Sequence, residues 1–258
     1  MNVVMIGSGN VAWHLAPALE NIGHKVAAVY SRNRSHAKAL TKKLYEATPV
    51  DSLDFGELDA SLFVIAVSDQ AIEEVAKELI LPEEAMVVHT SGSQSLDSLG
   101  YVPTDQIGVF YPLQTFSKSK RVDFTNIPLL IESDDDFTKR SLLKIANQLS
   151  KKVLHVDSED RKALHISAVF ACNLTNHLFT IAGKLLADKQ LDFNLLKPLI
   201  TETINKSLEI GPQNAQTGPA IRDDHETLEK HMEYLEDNED YKEIYRLITQ
   251  NIIDSYAD

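Results

Sequence analysis

The stretch Val3-Val4-Met5-Ile6-Gly7-Ser8-Gly9-Asn10-Val11-Ala12 decides the fold, because a β-rich run, a glycine turn and the start of an amphipathic pattern follow one another directly. This order fits the G-x-G-x-x-G/A pattern that holds the pyrophosphate of a dinucleotide. Gly7 permits the tight turn, Gly9 lets the backbone approach the pyrophosphate, and the small Ala12 lets the helix pack close to the strand. Ser8, Asn10 and Val11 complete the phosphate loop, and the helix N-terminus offers free N–H groups and a positive dipole end. A plain tight turn in an α/β fold is the alternative at this point.

Outward from this turn, the first two-thirds of the chain alternates short β-rich runs with amphipathic stretches, as a parallel α/β sheet requires. Strand signals cover residues 2–6, 25–30, 61–67, 85–89, 106–110, 127–131 and 153–156, with helical patterns at 11–22, 35–44, 70–80 and 136–149. The segment 46–59 is short for a strand plus a helix, so a third strand there carries little signal. Seven of the ten glycines precede residue 109, matching the tight turns of this architecture. After Val156 the period changes. Residues 158–187 read as one helix with no Pro or Gly before Gly183, roughly 45 Å long if unbroken. Further helices are expected at 194–210, 224–236 and 240–256, around an irregular stretch at 211–223. The expected fold is α/β, with a mostly parallel Rossmann-type sheet in residues 1–156 and an all-α domain in residues 157–258.

The 258 residues are 43% hydrophobic and 24% charged, which argues against disorder and leaves material for a real core. Twenty-five basic residues against 38 acidic ones give a formal charge of −13, which makes nucleic acid an unsuitable partner. The charge is uneven: 15 basic and 19 acidic residues lie up to residue 156, and 10 and 19 after it. The single Cys172 excludes an internal disulfide framework and fits a reducing compartment. No secretory leader and no membrane-spanning run is seen, so the expected location is the cytoplasm, without membrane attachment. No metal-ligand set is assigned.

The end of the second strand selects the dinucleotide. An NAD site usually places Asp or Glu there for the ribose hydroxyls. Here the strand ends Val29-Tyr30-Ser31-Arg32-Asn33-Arg34, and residues 31–43 contain no acid. Ser31 and Arg32, with Arg34 as a further candidate, suit a 2′-phosphate, which points to NADP. Lys38, Lys42 and Lys43 read as a solvated helix face.

Ligands of an open α/β sheet sit beyond the C-terminal strand ends, and three such ends are polar here. After Val67 come Ser68 and Asp69, either of which can cap the next helix, while Ser68 can also lie beside the cofactor. After Val88 come His89-Thr90-Ser91-Gly92, suited to a ligand-facing loop or, for Thr90 and Ser91, to turn chemistry. Tyr111-Pro112-Leu113-Gln114 either walls a nicotinamide pocket or braces a crossover. In the helix from Ser158, Cys172, Asn173 and Asn176 lie on or beside the His165 face at about 100° per residue. These polar groups form a satisfied interhelical network, or His165 and Asn173 face the nicotinamide. In the late polar stretch 216–224, Arg222 either holds a substrate carboxylate or pairs with nearby acids.

GSGNVAWHLA at the start, then HTSGS, YPLQTFS, HISAVFACN and TGPAIRDD in that order resemble a family of NADP oxidoreductases over essentially the whole chain. That family pairs a Rossmann-like domain with a C-terminal domain of unknown function, and more distantly the chain is similar to deazaflavin-dependent NADP reductases, pyrroline-carboxylate reductases and ketopantoate reductases. The resemblance implies NADP binding, a helical C-terminal domain and a dimer formed through the helices. Two departures stand out. The family's late motif reads TGP, two residues, then RGD, and Asp223 replaces that glycine. Ketopantoate and hydroxyacid reductases carry a Lys four residues before a helix Asn; if Asn173 matches that Asn, Val169 occupies the Lys position and the usual ammonium acid is absent.

The expectation is an NADP(H)-dependent oxidoreductase that moves a hydride to or from a small carbonyl or imine substrate. Gly7, Ser8, Gly9, Asn10 and Val11 hold the pyrophosphate, Ser31 and Arg32 the 2′-phosphate, and Ser68, His89 and Thr90 line the cleft. His165 donates the proton, with His89 also a catalytic candidate; Asn173 orients the substrate and Arg222 binds an anionic group. The apolar faces after residue 157 exceed what a small bundle buries alone, which predicts a homodimer. The alternative is a non-catalytic NADP-binding sensor that signals through its acidic helices.

Overall fold

The computed structural model describes residues 1–256. The strands are β1 (Asn2–Ile6), β2 (Lys25–Tyr30), β3 (Thr48–Val50), β4 (Leu62–Ile65), β5 (Met86–His89), β6 (Ile107–Pro112), β7 (Leu129–Glu132) and β8 (Val153–His155). They form one sheet in the order β3-β2-β1-β4-β5-β6-β7-β8. Every neighbouring pair is parallel except β6 and β7, which run antiparallel. The mostly parallel α/β sheet expected from the sequence is present, and the chain winds outward in both directions from β1. That reversal opens a crevice at the C-terminal ends of β1 and β4, where ligands of such sheets bind.

Helices α1 (Asn10–Asn21), α2 (Arg34–Thr41), α3 (Ile72–Glu78), α4 (Asp136–Leu149) and α5 (Ser158–Ala168) accompany the sheet. Alternate residues of β1 enter two cores. Val3 and Met5 pack with Ala12, Leu15 and Ala16 of α1, whereas Val4 and Ile6 pack with Ile72, Val75 and Ala76 of α3. Covering both faces accounts for the nearly unbroken apolar runs of the central strands. The third strand is a three-residue edge carrying Pro49 and pairing only with β2, which explains its faint sequence signal.

The helix read as continuous over 158–187 is interrupted. After α5 the residues Val169–Leu174 form a π-helical turn, followed by α6 (Thr175–Ala187). With i→i+5 bonding there, a face extrapolated from His165 at helical spacing does not continue past Val169. The later elements are α7 (Lys197–Ile210), α8 (Pro212–Ala215), α9 (His225–Tyr234) and α10 (Glu239–Tyr256), so the described residues after the sheet are helices and turns. Two compact units result, Met1–Asn173 and Leu174 onward. The change of secondary structure near residue 156 therefore precedes the end of the sheet-bearing unit, because side chains of α5 bond to the strands, Arg161 and Ser158 to Glu132 of β7 and His165 to Tyr111 of β6.

Candidate active site

Gly7 adopts φ +116°, and a Cβ there would stand 2.2 Å from the carbonyl oxygen of Ala66. Its N–H donates to the Tyr30 carbonyl at 2.8 Å, so the turn is pressed between the ends of β2 and β4. Gly9 precedes α1 without a side-chain cap, and the first turn of α1 carries no acid. The atom nearest to a Cβ built on Gly9 is the Ala66 carbonyl oxygen, 3.9 Å away, so a ligand can come close to this backbone. The uncapped N–H groups and the dipole of α1 thus face a cavity of about 660 Å³ lined by Gly7, Ser8, Gly9, Asn10 and Val11. Ala12 is fully buried, as close packing of helix on strand requires.

Tyr30, Ser31, Arg32 and Asn33 at the end of β2 line the same cavity. Ser8 Oγ donates to Ser31 Oγ at 3.0 Å, joining the glycine turn to this strand end. Asn33 is committed to capping α2, accepting from the Ser35 N–H at 3.0 Å. Arg34 pairs with Asp51 at 3.2 Å. Among the described residues Arg32 has no carboxylate partner, so its guanidinium is free for a phosphate. His36, on the first turn of α2, also reaches the cavity wall; it was not singled out from sequence, although it lies in the same acid-free window.

Across the crevice, Ser68 and Asp69 line the cavity, and neither caps the short 3₁₀ turn that follows. Asp69 instead accepts from Ser93 Oγ at 2.5 Å, tying the end of β4 to the loop after β5. Thr90 is buried in the wall, with its N–H donating to the Ile65 carbonyl at 3.1 Å. Ser91 Oγ accepts from the N–H groups of Ser93 and Gln94, both at 3.1 Å, which closes the loop on itself.

His89 is not among the lining residues. It is fully buried, its Nδ1 accepts from the Ser91 N–H at 3.1 Å, and its Nε2 faces the Ser95 carbonyl at 3.3 Å. The ring therefore carries its proton on Nε2 and holds the loop from behind. Burial, reinforced by the positive charge of Arg161, pushes its pKa down to about 4, so it is neutral at pH 7. A catalytic contact was expected of His89; the geometry gives it a positioning task.

The side chain that does meet the loop from outside is His165. Its Nδ1 lies 2.9 Å from the Tyr111 hydroxyl, and both residues line the cavity. They converge on Gly92, where a Cβ would fall 2.6 Å from His165 Nδ1 and 2.6 Å from Tyr111 Cζ. Tyr111 is the member of the β6 run that faces the cavity, whereas the Gln114 side chain accepts from the neighbouring Thr115 N–H at 2.8 Å. Burial raises the Tyr111 pKa, Asp69 adds to the rise, and Arg161 opposes it. Arg161, one turn before His165, is completely buried, pairs with Glu132 and donates to the Gln94 carbonyl. It also donates to Ser158 Oγ at 3.2 Å. These bonds fix α5 to β7 and to the loop after β5.

Asn173 is exposed on the π-helical turn and does not line the cavity. Arg222 is exposed at the end of a 3₁₀ turn in the second unit. Beside it Asp223 adopts the left-handed conformation, φ 54° and ψ 36°, which accounts for a glycine at this place in the resembled motif. The sequence offers Gly92 in a ligand-facing loop and Tyr111 in a candidate pocket wall, but their meeting with His165 and the role of Arg161 depend on contacts distant in sequence that no local pattern announces.

Residues 1–112 match a Rossmann-like domain, and residues 127–252 match DUF2520, a domain of unknown function. None of the curated proteins compared matches the chain. Among solved structures, the "putative NADP oxidoreductase" of Bacteroides fragilis is 40% identical, with a TM-score of 0.88 and 98% of each chain covered. Protein TM1727 of Thermotoga maritima is 22% identical, with a TM-score of 0.70 over 99% of this chain and 100% of that one. An imine reductase variant from Myxococcus stipitatus, in complex with NAD+, shares the fold at 14% identity and a TM-score of 0.65, covering 98% and 93% of the two chains. With 40% identity over nearly its whole length, the chain belongs to the family of the Bacteroides protein, in which a Rossmann-like domain is followed by DUF2520.

Proposed function

We propose that the protein is an NADP(H)-dependent oxidoreductase that moves a hydride to or from a small carbonyl or imine compound. The observation that carries this reading is one cavity that runs from an uncapped glycine turn, past an unpaired Arg32, to the Tyr111–His165 pair. Its volume of about 660 Å³ suits a cofactor site. The N–H groups from Gly9 to Val11 receive the pyrophosphate, and Ser31 and Arg32 receive the 2′-phosphate. Ser68 and Thr90 flank the cofactor further along the crevice. NADPH, when bound, supplies the hydride. His165 supplies the accompanying proton, Gly92 leaves room for it, and the Arg161 clamp holds its helix in place. The name of the Bacteroides relative supports NADP as the cofactor.

The test is NADPH binding followed by oxidation with a panel of 2-keto acids and cyclic imines. Tight binding with turnover of a panel member is expected. Binding without turnover of any member favours the sensor reading, and no binding of either nicotinamide cofactor overturns both.

We also propose a homodimer formed through the helices. Among the described residues from Leu174 onward, the buried hydrophobic side chains are Ala220, Leu228 and Leu235, whereas Leu178, Leu199, Ile204, Leu208, Leu247 and Ile248 are exposed. This many exposed apolar side chains beside so few buried ones supports an interface with a second copy. Light scattering at micromolar concentration should return twice the 28.8 kDa chain mass. No described helix is long and apolar enough to cross a membrane, and the lone Cys172 suits the cytoplasm.

A further inference from the structure

We propose that the Tyr111 hydroxyl is the group that exchanges the proton with the substrate, and that His165 refills it through Nδ1. This rests on the oxidoreductase reading above. Three observations carry it. The edge of the imidazole that bears Nδ1 is turned toward the strand ends, where Gly92 and the Tyr111 ring crowd it. At 2.9 Å the hydrogen-bond partner on that edge is the phenolic oxygen, so whenever Nδ1 carries a proton the group in line to take it is Tyr111. The other histidine of this region, His89, has both ring nitrogens engaged by Ser91 and Ser95 and does not touch the cavity.

In the reducing direction the step balances as follows. A C–H bond forms at the substrate carbon with the incoming hydride, and the π pair of the C=O or C=N bond moves onto the heteroatom. The heteroatom takes the Tyr111 phenolic proton. The phenolic oxygen takes the Nδ1 proton of the His165 imidazolium, and the neutral imidazole regains a proton from solvent. Tyr111 is then the catalytic residue and His165 the group that acts through it. Raised by burial, the Tyr111 pKa keeps the hydroxyl protonated and able to donate. Asp69, on the cavity wall, favours the same state, and Arg161 opposes it.

The experiment uses the full chain with three variants, Tyr111→Phe, His165→Ala and the double variant. Turnover should fall by about 10²–10⁴ in Tyr111→Phe while NADPH affinity stays within about twofold. Imidazole added to His165→Ala should restore part of the rate, and the same addition to the double variant should restore nothing. In the cofactor-free protein, the ¹⁵N resonance of His165 Nδ1 should move on Tyr111→Phe, whereas a purely steric contact would leave it in place. Wild-type rate in Tyr111→Phe, imidazole rescue of the double variant, or an unmoved Nδ1 resonance would each overturn the relay while leaving the oxidoreductase reading intact. A wild-type protein that binds NADPH but reduces nothing fails at the earlier reading and takes the relay with it.

Discussion

Arg161 and Glu132 form an ion pair between α5 and β7, with the guanidinium fully buried and the carboxylate side chain 12% exposed. Removing one member of such a pair leaves the other charged and dry, which costs far more than the net worth of the pair. Arg161→Met should lower stability by about 3–5 kcal/mol, and adding Glu132→Leu should recover much of that loss. Urea unfolding of the two variants checks both signs. The single variant also frees the Gln94 carbonyl, so its turnover should fall at temperatures where it remains folded.

Arg32 is the arginine at the end of β2 left without a carboxylate among the described residues, whereas Arg34 is paired with Asp51, and it is the proposed ligand of the 2′-phosphate. A charge-assisted bond of this kind contributes about 1.5–3 kcal/mol. Arg32→Ala should therefore weaken NADPH binding by about 10- to 100-fold while changing NADH binding by less than about twofold. Fluorescence titration with each cofactor gives the ratio. Equal losses for the two cofactors would remove the 2′-phosphate from this corner of the cavity.

His89 makes stability depend on pH. An unfolded histidine takes up a proton near 6.5, but the buried ring does not do so until about pH 4. The unfolded chain thus holds the extra proton in between, so this contribution is fully present above 6.5 and is lost as pH falls toward 4. Its span is roughly 3 kcal/mol. The advantage of wild type over His89→Asn, measured by urea unfolding across that window, should shrink by about this amount toward the acid end.

Asp223 sits at φ 54° in a region that disfavours a side chain. Its contact with His225 at 3.1 Å is solvent-exposed and contributes little. Asp223→Gly should raise stability by about 1 kcal/mol, and Asp223→Ala should lower it. Thermal unfolding of the full chain distinguishes the two.

Elements with strong local signals were legible from the sequence. The limits of β1, β2 and α4 agree with expectation, and α4 begins where Asp135 accepts from the Thr138 N–H at 2.6 Å. The glycine turn and the acid-free end of β2 were readable for the same reason, since backbone conformation and charge at these places are local. The π-helical turn at Val169–Leu174 was not legible, because it contains neither Pro nor Gly and retains apolar spacing. Ser68 and Asp69 looked like caps, but the tertiary bond from Ser93 takes the carboxylate. His165 was legible as an odd polar residue on an apolar helix; its partner was not, because 54 positions separate Tyr111 from it.

The loop after β5 is held from three directions: Ser93 by Asp69, Ser91 by His89, and the Gln94 carbonyl by Arg161. Each tether comes from a different element, so loosening one leaves two. A binding loop that must order around its ligand spends part of the interaction energy on lost chain freedom. This one enters the encounter already ordered. Cofactor capture should therefore carry a small conformational entropy penalty, and amide hydrogen exchange at residues 90–94 should be slow before any ligand arrives.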